Sequence, residues 1–316
     1  MTVINVHIFQ IGAALQQDAR RWQISPVNQL LITLRFYATV SFQLVVGDTF
    51  DVSKSTVCRI VHRVTAAIAS LRPHYICLPS TAEERRSVMS RFYLFSGMPG
   101  VIGAVICTHV PIQSPGGEEA EIFHNRKGYF SINVQLISDN SGYVSDVVAR
   151  WPGCVHDSTI FDNSHVCTLM ETAAPGDGYL LGDGGYPCRR YLLTPLLNPT
   201  TNAEKAYNTA HTAARNSIER ANGILKRRFP ALKYGMRLSV EHTLPVIVAA
   251  VVVNNIALMM GDDEPPEDEQ LSSFIQRKRH QGVQVDYDEV EVGPPDTAGN
   301  PGVTGVRQAI INSHFQ

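Results

Sequence analysis

Val101-Ile-Gly-Ala-Val-Ile-Cys-Thr-His-Val110 decides the fold. Ten residues with almost no polar interruption are what a central strand buried on both faces requires. Two more strand signals follow. Ser131-Ile-Asn-Val-Gln-Leu-Ile137 alternates, and Asp139-Asn-Ser-Gly142 turns it into Tyr143-Val-Ser-Asp-Val-Val-Ala149. A short helix is expected over Asp157–Asn163. A further strand, Gly178-Tyr-Leu-Leu-Gly-Asp183, ends in a carboxylate followed by Gly184-Gly185. Helices are expected over Asn208–Phe229 and Leu244–Met260. Three consecutive strands, a helix, another strand and two helices predict an α/β fold with a mixed sheet, not an alternating doubly wound one.

Toward the N-terminus the texture is helical. Ser25-Pro26 supplies a cap and a first-turn proline, and Leu30, Leu31, Leu34, Phe36 and Tyr37 give an apolar face. Phe42–Phe50 reads as a short helix and Asp51-Val-Ser53 as a turn. A new helix starts at Lys54, capped by Ser53. Lys54, Ser55 and Thr56 in its first turn, with Arg59 and Arg63 behind them, match a helix-turn-helix over about 42–70 that would face DNA. Two helices packed through a turn in an ordinary helical domain fit the same pattern. Phe92-Tyr93 and Trp151 read as core.

The formal charge of −2 conceals an asymmetry. From Gly261 onward there are 11 acidic and 4 basic residues, which leaves 18 acidic and 23 basic in 1–260. A basic body with an acidic tail suits a nucleic-acid partner. The stretch 261–316, rich in Pro, Gly and acid, reads as a mostly disordered tail containing one basic cluster, Arg277-Lys-Arg-His280. Six scattered cysteines without a C-x-x-C pair exclude a disulfide scaffold and a zinc-ribbon type of site. The apolar run Leu244–Met260 is short for a membrane span and carries two central asparagines, so a buried helix is expected in a soluble, intracellular protein.

Two carboxylates stand out. Asp183 lies at a strand's C-terminal end, where open α/β sheets bind ligands, although an Asp before Gly is also a common turn former. Glu219 lies on the helix Arg215–Phe229, in a line with Arg215, Asn222 and Lys226 beside the apolar line Ile218, Ala221, Leu225 and Phe229. That line is either a solvated charged face or a carboxylate among cations that grip phosphate.

In order along the chain, LRFYATVSFQLVVGDTFDVSKSTVCRIVHRV, FSGMPGVIGAVICTHVPI, NRKGYFSINVQLISD, WPGCVHDSTIF, LLGDGGYP and SIERANGILKRRFP resemble the PIF/Harbinger transposases and nucleases derived from them. The resemblance implies a ribonuclease-H-like domain over 96–260, preceded over 1–95 by a helical region with the helix-turn-helix. It implies DNA as substrate and a triad of acids holding magnesium or manganese. Asp183 and Glu219 fall on the second and third acids. On the first, the family reads approximately G-V-V-D-C-T-H where this chain has Gly103-Ala-Val-Ile106-Cys-Thr-His109, so Ile106 stands where the carboxylate should. Metal binding and hydrolysis are then expected to be weakened. Asp157 is the candidate substitute, against its simpler role as a helix N-terminal acid. The family usually has glycine where Val40 and Asp51 stand. DNA contacts are expected from Lys54, Ser55, Thr56, Arg59, Arg63, Lys226 and Arg227.

The resemblance also suggests a nuclear location, with the cytoplasm open, and a Myb-like nuclear partner. Three functions follow: an endonuclease impaired at Ile106, an inactive DNA-binding or protein-interaction factor, and a structural protein tethered by its tail.

Overall fold

The computed structural model describes residues 24–39, 47, 50–174, 176–266 and 301–316. The helical region comprises α1 (Pro26–Thr39), α2 (Lys54–Ala69), α3 (Arg72–Tyr75) and α4 (Ala82–Ser96). Next come β1 (Val101–Pro111), β2 (Ser131–Ser138), β3 (Val144–Pro152), α5 (Asp157–Asp162), α6 (His165–Thr172), β4 (Tyr179–Leu181) and β5 (Leu192–Leu193). The chain continues with α7 (Asn202–Arg228), α8 (Ala231–Tyr234), α9 (Val240–Met259) and α10 (Pro301–His314).

The strands form one sheet in the order β3-β2-β1-β4-β5. β1 pairs antiparallel with β2, and β2 with β3, while β4 runs parallel to β1 and β5 to β4. β1 sits in the middle, which explains its unbroken apolar run. Its residues alternate between faces. Ala104, Ile106 and Val110 join the larger apolar cluster, with Ile218 and Leu225 of α7, whereas Ile102 and Val105 join a smaller one with Phe161, Val166 and Met170 of α5 and α6. The larger cluster also contains Ile32 and Phe36 of α1, Val57, Ile60 and Val64 of α2, and Val246 to Val252 of α9. The helical region and the sheet therefore share one core.

Ser53 caps α2 as expected, its hydroxyl accepting from the Thr56 amide at 3.3 Å. The first helix of the expected helix-turn-helix lies outside the described residues apart from Gly47 and Phe50, as does Val40. Asp51 in the turn has φ of 53°, and among the described residues no other non-glycine has positive φ. That left-handed conformation costs a side-chain-bearing residue on the order of 1 kcal/mol, and it explains why a glycine suits the position. Asp51→Gly should raise the melting temperature by roughly 2 °C, and Asp51→Val should lower it, in a thermal scan.

α9 is long and apolar enough to cross a membrane by length and composition. Here it lies against α2, α3 and β3, with Val246, Ile247 and Ala249 to Val252 buried. Its two asparagines are buried as well, and Asn255 has a structural role. The Asn255 amide donates to the carbonyls of Tyr75 and Val144, both at 2.7 Å, and its oxygen accepts from the Val144 amide at 3.0 Å. It ties α9 to the end of α3 and the start of β3.

Several elements differ from the sequence expectation. α7 begins at Asn202, six residues early, because Thr201 and Glu204 form a capping box there. α4 and α6 add helices that the pattern did not announce. Phe92 is core, but Tyr93 is exposed and Trp151 half-buried. The tail expected to be mostly disordered ends in α10. Its Ile310 and Ile311 are buried, and Arg307 donates to the Thr194 carbonyl at 3.3 Å.

Candidate functional site

β4 ends at Leu181, and the chain turns at once through Gly182 and Asp183. One Asp183 carboxylate oxygen accepts from the Gly185 amide at 2.9 Å, so the side chain fixes its own turn. The other faces the Arg215 guanidinium at 3.6 Å. Arg215 stands on α7, and one turn along the same helix its guanidinium meets Glu219 at 3.2 Å. A single cation therefore joins the two acids that the sequence singled out. The Arg215 side chain is only 9% exposed and its Nε has no hydrogen-bond partner, whereas Glu219 is 42% exposed and reaches solvent.

One turn before Arg215, His211 is fully buried, and its Nε2 lies 3.1 Å from the Leu193 carbonyl at the end of β5. Burial, with the charges of Arg215 and Arg307 beside it, pushes its pKa down to about 4. It is a neutral imidazole that pins α7 to the sheet at physiological pH.

Ile106 stands on the face of β1 that meets α7, opposite Leu136 of β2, and is 7% exposed. The position expected to carry the first acid is an apolar part of the core. Cys107, the next residue, turns to the other face. There its sulfur accepts from the Tyr186 hydroxyl at 3.4 Å and lies against Asp157, and burial pushes both thiol and phenol well up. Asp157, in the first turn of α5, also accepts from the Asn133 amide at 3.0 Å. The expected substitute acid is thus engaged with Cys107 and Asn133, and Cys107 and Tyr186 feel the charge of Asp183 as well.

Among the described residues, no three His, Cys, Asp or Glu side chains converge so as to hold a metal ion. Two acids sharing one arginine, with a buried isoleucine at the position expected to carry the third acid, do not fit a centre of two hard cations. Such ions need several oxygen ligands each.

The expected DNA-contacting residues are divided. Lys54, Ser55 and Arg59 are exposed at the start of α2, and Thr56 is half-buried. Arg59 donates to the Ser55 carbonyl at 3.3 Å. Arg63 departs from the exposed stripe expected of it, since its guanidinium turns inward to Gln29 of α1. Lys226 donates to the His109 carbonyl of β1 at 3.3 Å, and Arg227 lies 3.7 Å from Glu264. That last pairing, and the bridging role of Arg215, were missed in the sequence.

A five-stranded mixed sheet with an acid at the end of β4 and another on a long helix packed across β1 defines a ribonuclease-H-like nuclease scaffold. Comparisons with known proteins agree. Residues 105–255 match the DDE superfamily endonuclease family. The protein named "Putative nuclease HARBI1" from Rattus norvegicus is 37% identical over 243 residues, covering 76% of this chain and 69% of its own. The Homo sapiens protein of that name is 35% identical over the same shares. "Protein ALP1-like" from Arabidopsis thaliana is 27% identical over 246 residues, 73% of this chain and 60% of its own. No solved structure matches. The chain belongs to the Harbinger-derived DDE nuclease family. Endonucleases of the DDE superfamily generally use divalent metals.

Proposed function

We propose that this chain is a transposase-derived nuclease that binds DNA through its phosphodiester backbone, in the nucleus, and whose metal-dependent hydrolysis is strongly impaired. The observation that carries the reading is the buried Ile106 on the α7 face of β1, together with the single arginine that Asp183 and Glu219 share. Hydrolysis of a phosphodiester has to offset the charge that builds on the attacking and leaving oxygens. Asp183 and Glu219 alone place two negative charges there, and Arg215, the one cation paired with them among the described residues, is committed to both. What the residues retain is a surface for phosphates: Lys54, Ser55, Thr56 and Arg59 at the start of α2, and the basic end of α7. Helix N-termini and cationic side chains position a protein on DNA without reading its sequence.

An inactive DNA-binding or protein-interaction factor is the neighbouring reading, supported by the same isoleucine, and it differs only in predicting no residual cleavage. Two measurements test the proposal. Binding of a labelled mixed-sequence duplex should weaken with rising salt, log K falling linearly with log salt. Nicking of supercoiled plasmid by the purified chain in magnesium or manganese should be barely above the no-protein control. Efficient nicking would show that the hydrolytic centre is intact, and salt-independent or absent duplex binding would remove DNA as the substrate.

A further inference from the structure

α9 ends at Met259 with Met260 as its C-cap, and Gly261, with φ of 68°, turns the chain back on itself. The turn is fixed by the Asp262 amide donating to the Ala257 carbonyl at 3.0 Å. It delivers three consecutive acids onto the last turns of α7. Arg220 donates to Glu264 at 2.7 Å, and Arg227 lies 3.7 Å from the other oxygen of the same carboxylate. Arg228 pairs with the Asp262 carboxylate and donates to the Asp263 carbonyl at 3.1 Å. One short strap thus meets three arginines, the first of them adjacent to Glu219. Two prolines, Pro265 and Pro266, follow, and then Glu267, Asp268 and Glu269 continue the acidic sequence.

We propose that Asp262–Asp263–Glu264 is an autoinhibitory strap that mimics a polyphosphate backbone and covers the nucleic-acid-binding surface of α7. The inference rests on the reading that this chain binds DNA, and it assigns that binding a built-in regulator. Carboxylates spaced along an extended chain present to the arginines what successive phosphates would present. The Arg220–Glu264 pair is 65% and 46% exposed, and Asp262, opposite the more buried Arg228, is 57% exposed. An ion pair as exposed as Arg220–Glu264 is individually weak, and the strap's carboxylates all reach solvent, so a longer polyanion can compete for the arginines. The strap is strong enough to suppress weak contacts and weak enough to yield to DNA. The body's excess of basic residues and the tail's excess of acidic ones are then two halves of one device.

The test uses the full chain and a fluorescein-labelled 30-base-pair duplex of mixed sequence, followed by anisotropy across a salt series. Three proteins are compared: the native chain, Asp262→Asn/Asp263→Asn/Glu264→Gln, and a charge control, Glu118→Gln/Glu119→Gln/Glu121→Gln. The control changes net charge equally at exposed positions that, among the described residues, show no ion pair with α7. The strap variant should bind about tenfold more tightly, with a salt slope steeper by about 2, as Arg220 and Arg228 lose their carboxylate partners and can displace counterions. The control should not. Adding Arg220→Gln/Arg227→Gln/Arg228→Gln to the strap variant should abolish the gain. Equal binding by strap variant and native chain overturns the strap and leaves DNA binding standing. An equal gain in the control, or a gain that survives loss of the arginines, also overturns it. Absence of binding by every variant overturns both the strap and the DNA reading.

Discussion

Ile106→Asp is expected to raise magnesium- or manganese-dependent nicking of supercoiled plasmid at least ~100-fold over the native chain, the scale on which metal sites respond to repair or loss of a supporting group. The backbone is already in place, because β1 is the central strand and residue 106 projects toward α7, on which Glu219 stands. The substitution exchanges an apolar side chain for a carboxylate at a position only 7% exposed. Without metal, that should destabilise the protein by roughly 3 kcal/mol, the cost of a buried carboxyl lacking a full set of partners. With metal, the same carboxylate becomes a ligand and the cost is recovered. The variant should therefore gain thermal stability on adding manganese while the native chain does not. Ile106→Asn, of nearly the same shape but without the charge, should suffer the destabilisation and gain neither nicking nor metal response. Asp183→Asn placed on Ile106→Asp should return nicking to the native level. If Ile106→Asp is folded and manganese-stabilised yet does not nick, the missing carboxylate is not the lesion, and the proposed impairment would have to lie in Arg215's hold on both acids.

How much of this was legible in the sequence depended on the range of the interaction. β1 could be read because burial on both faces writes a continuous apolar run, and Ser53 could be read because a cap acts on its own neighbours. α4 could not. Of its apolar residues Val88 and Phe92 face the core, while Tyr93, Leu94 and Phe95 are exposed, so no helical stripe appears. α10 was hidden by the Gly- and Pro-rich segment before it, although Arg307, Ile310 and Ile311 recur at helical spacing. In the site, the spacing of Arg215 and Glu219 announced their pairing. Nothing in the sequence announced that Asp183, 32 positions earlier, would share that arginine, because the end of β4 and the middle of α7 meet only through the packed sheet. Arg63 failed as an exposed DNA contact for the same reason: its neighbour Gln29 is remote in sequence. Opposite charges on α7 and the strap were visible as totals, and only the turn at Gly261 made them contacts.

Arg215→Met is expected to destabilise the protein by about 3–5 kcal/mol, the range for removing one partner of a buried ion pair. In a chain of this size that corresponds to a fall in melting temperature of roughly 10 °C. The magnitude is set by Asp183, only 15% exposed, which among the described residues would lose the one cation that faces it and keep the Gly185 amide. Glu219 should contribute little, since it is 42% exposed and water can replace the guanidinium there. The two acids can be separated by a double-mutant cycle. Asp183→Asn on the Arg215→Met background should recover a large part of the loss, because the uncompensated buried charge is gone, whereas Glu219→Gln should recover almost none. Equal recovery from both would mean that the pair is symmetric and that Asp183 is better solvated than its surroundings indicate. The same cycle bears on the chemistry. An arginine held mainly by Asp183 ties that carboxylate to the fold, so restoring hydrolysis through Ile106→Asp would require a cation to compete with Arg215 for Asp183. Nicking by Ile106→Asp should then need millimolar rather than micromolar metal.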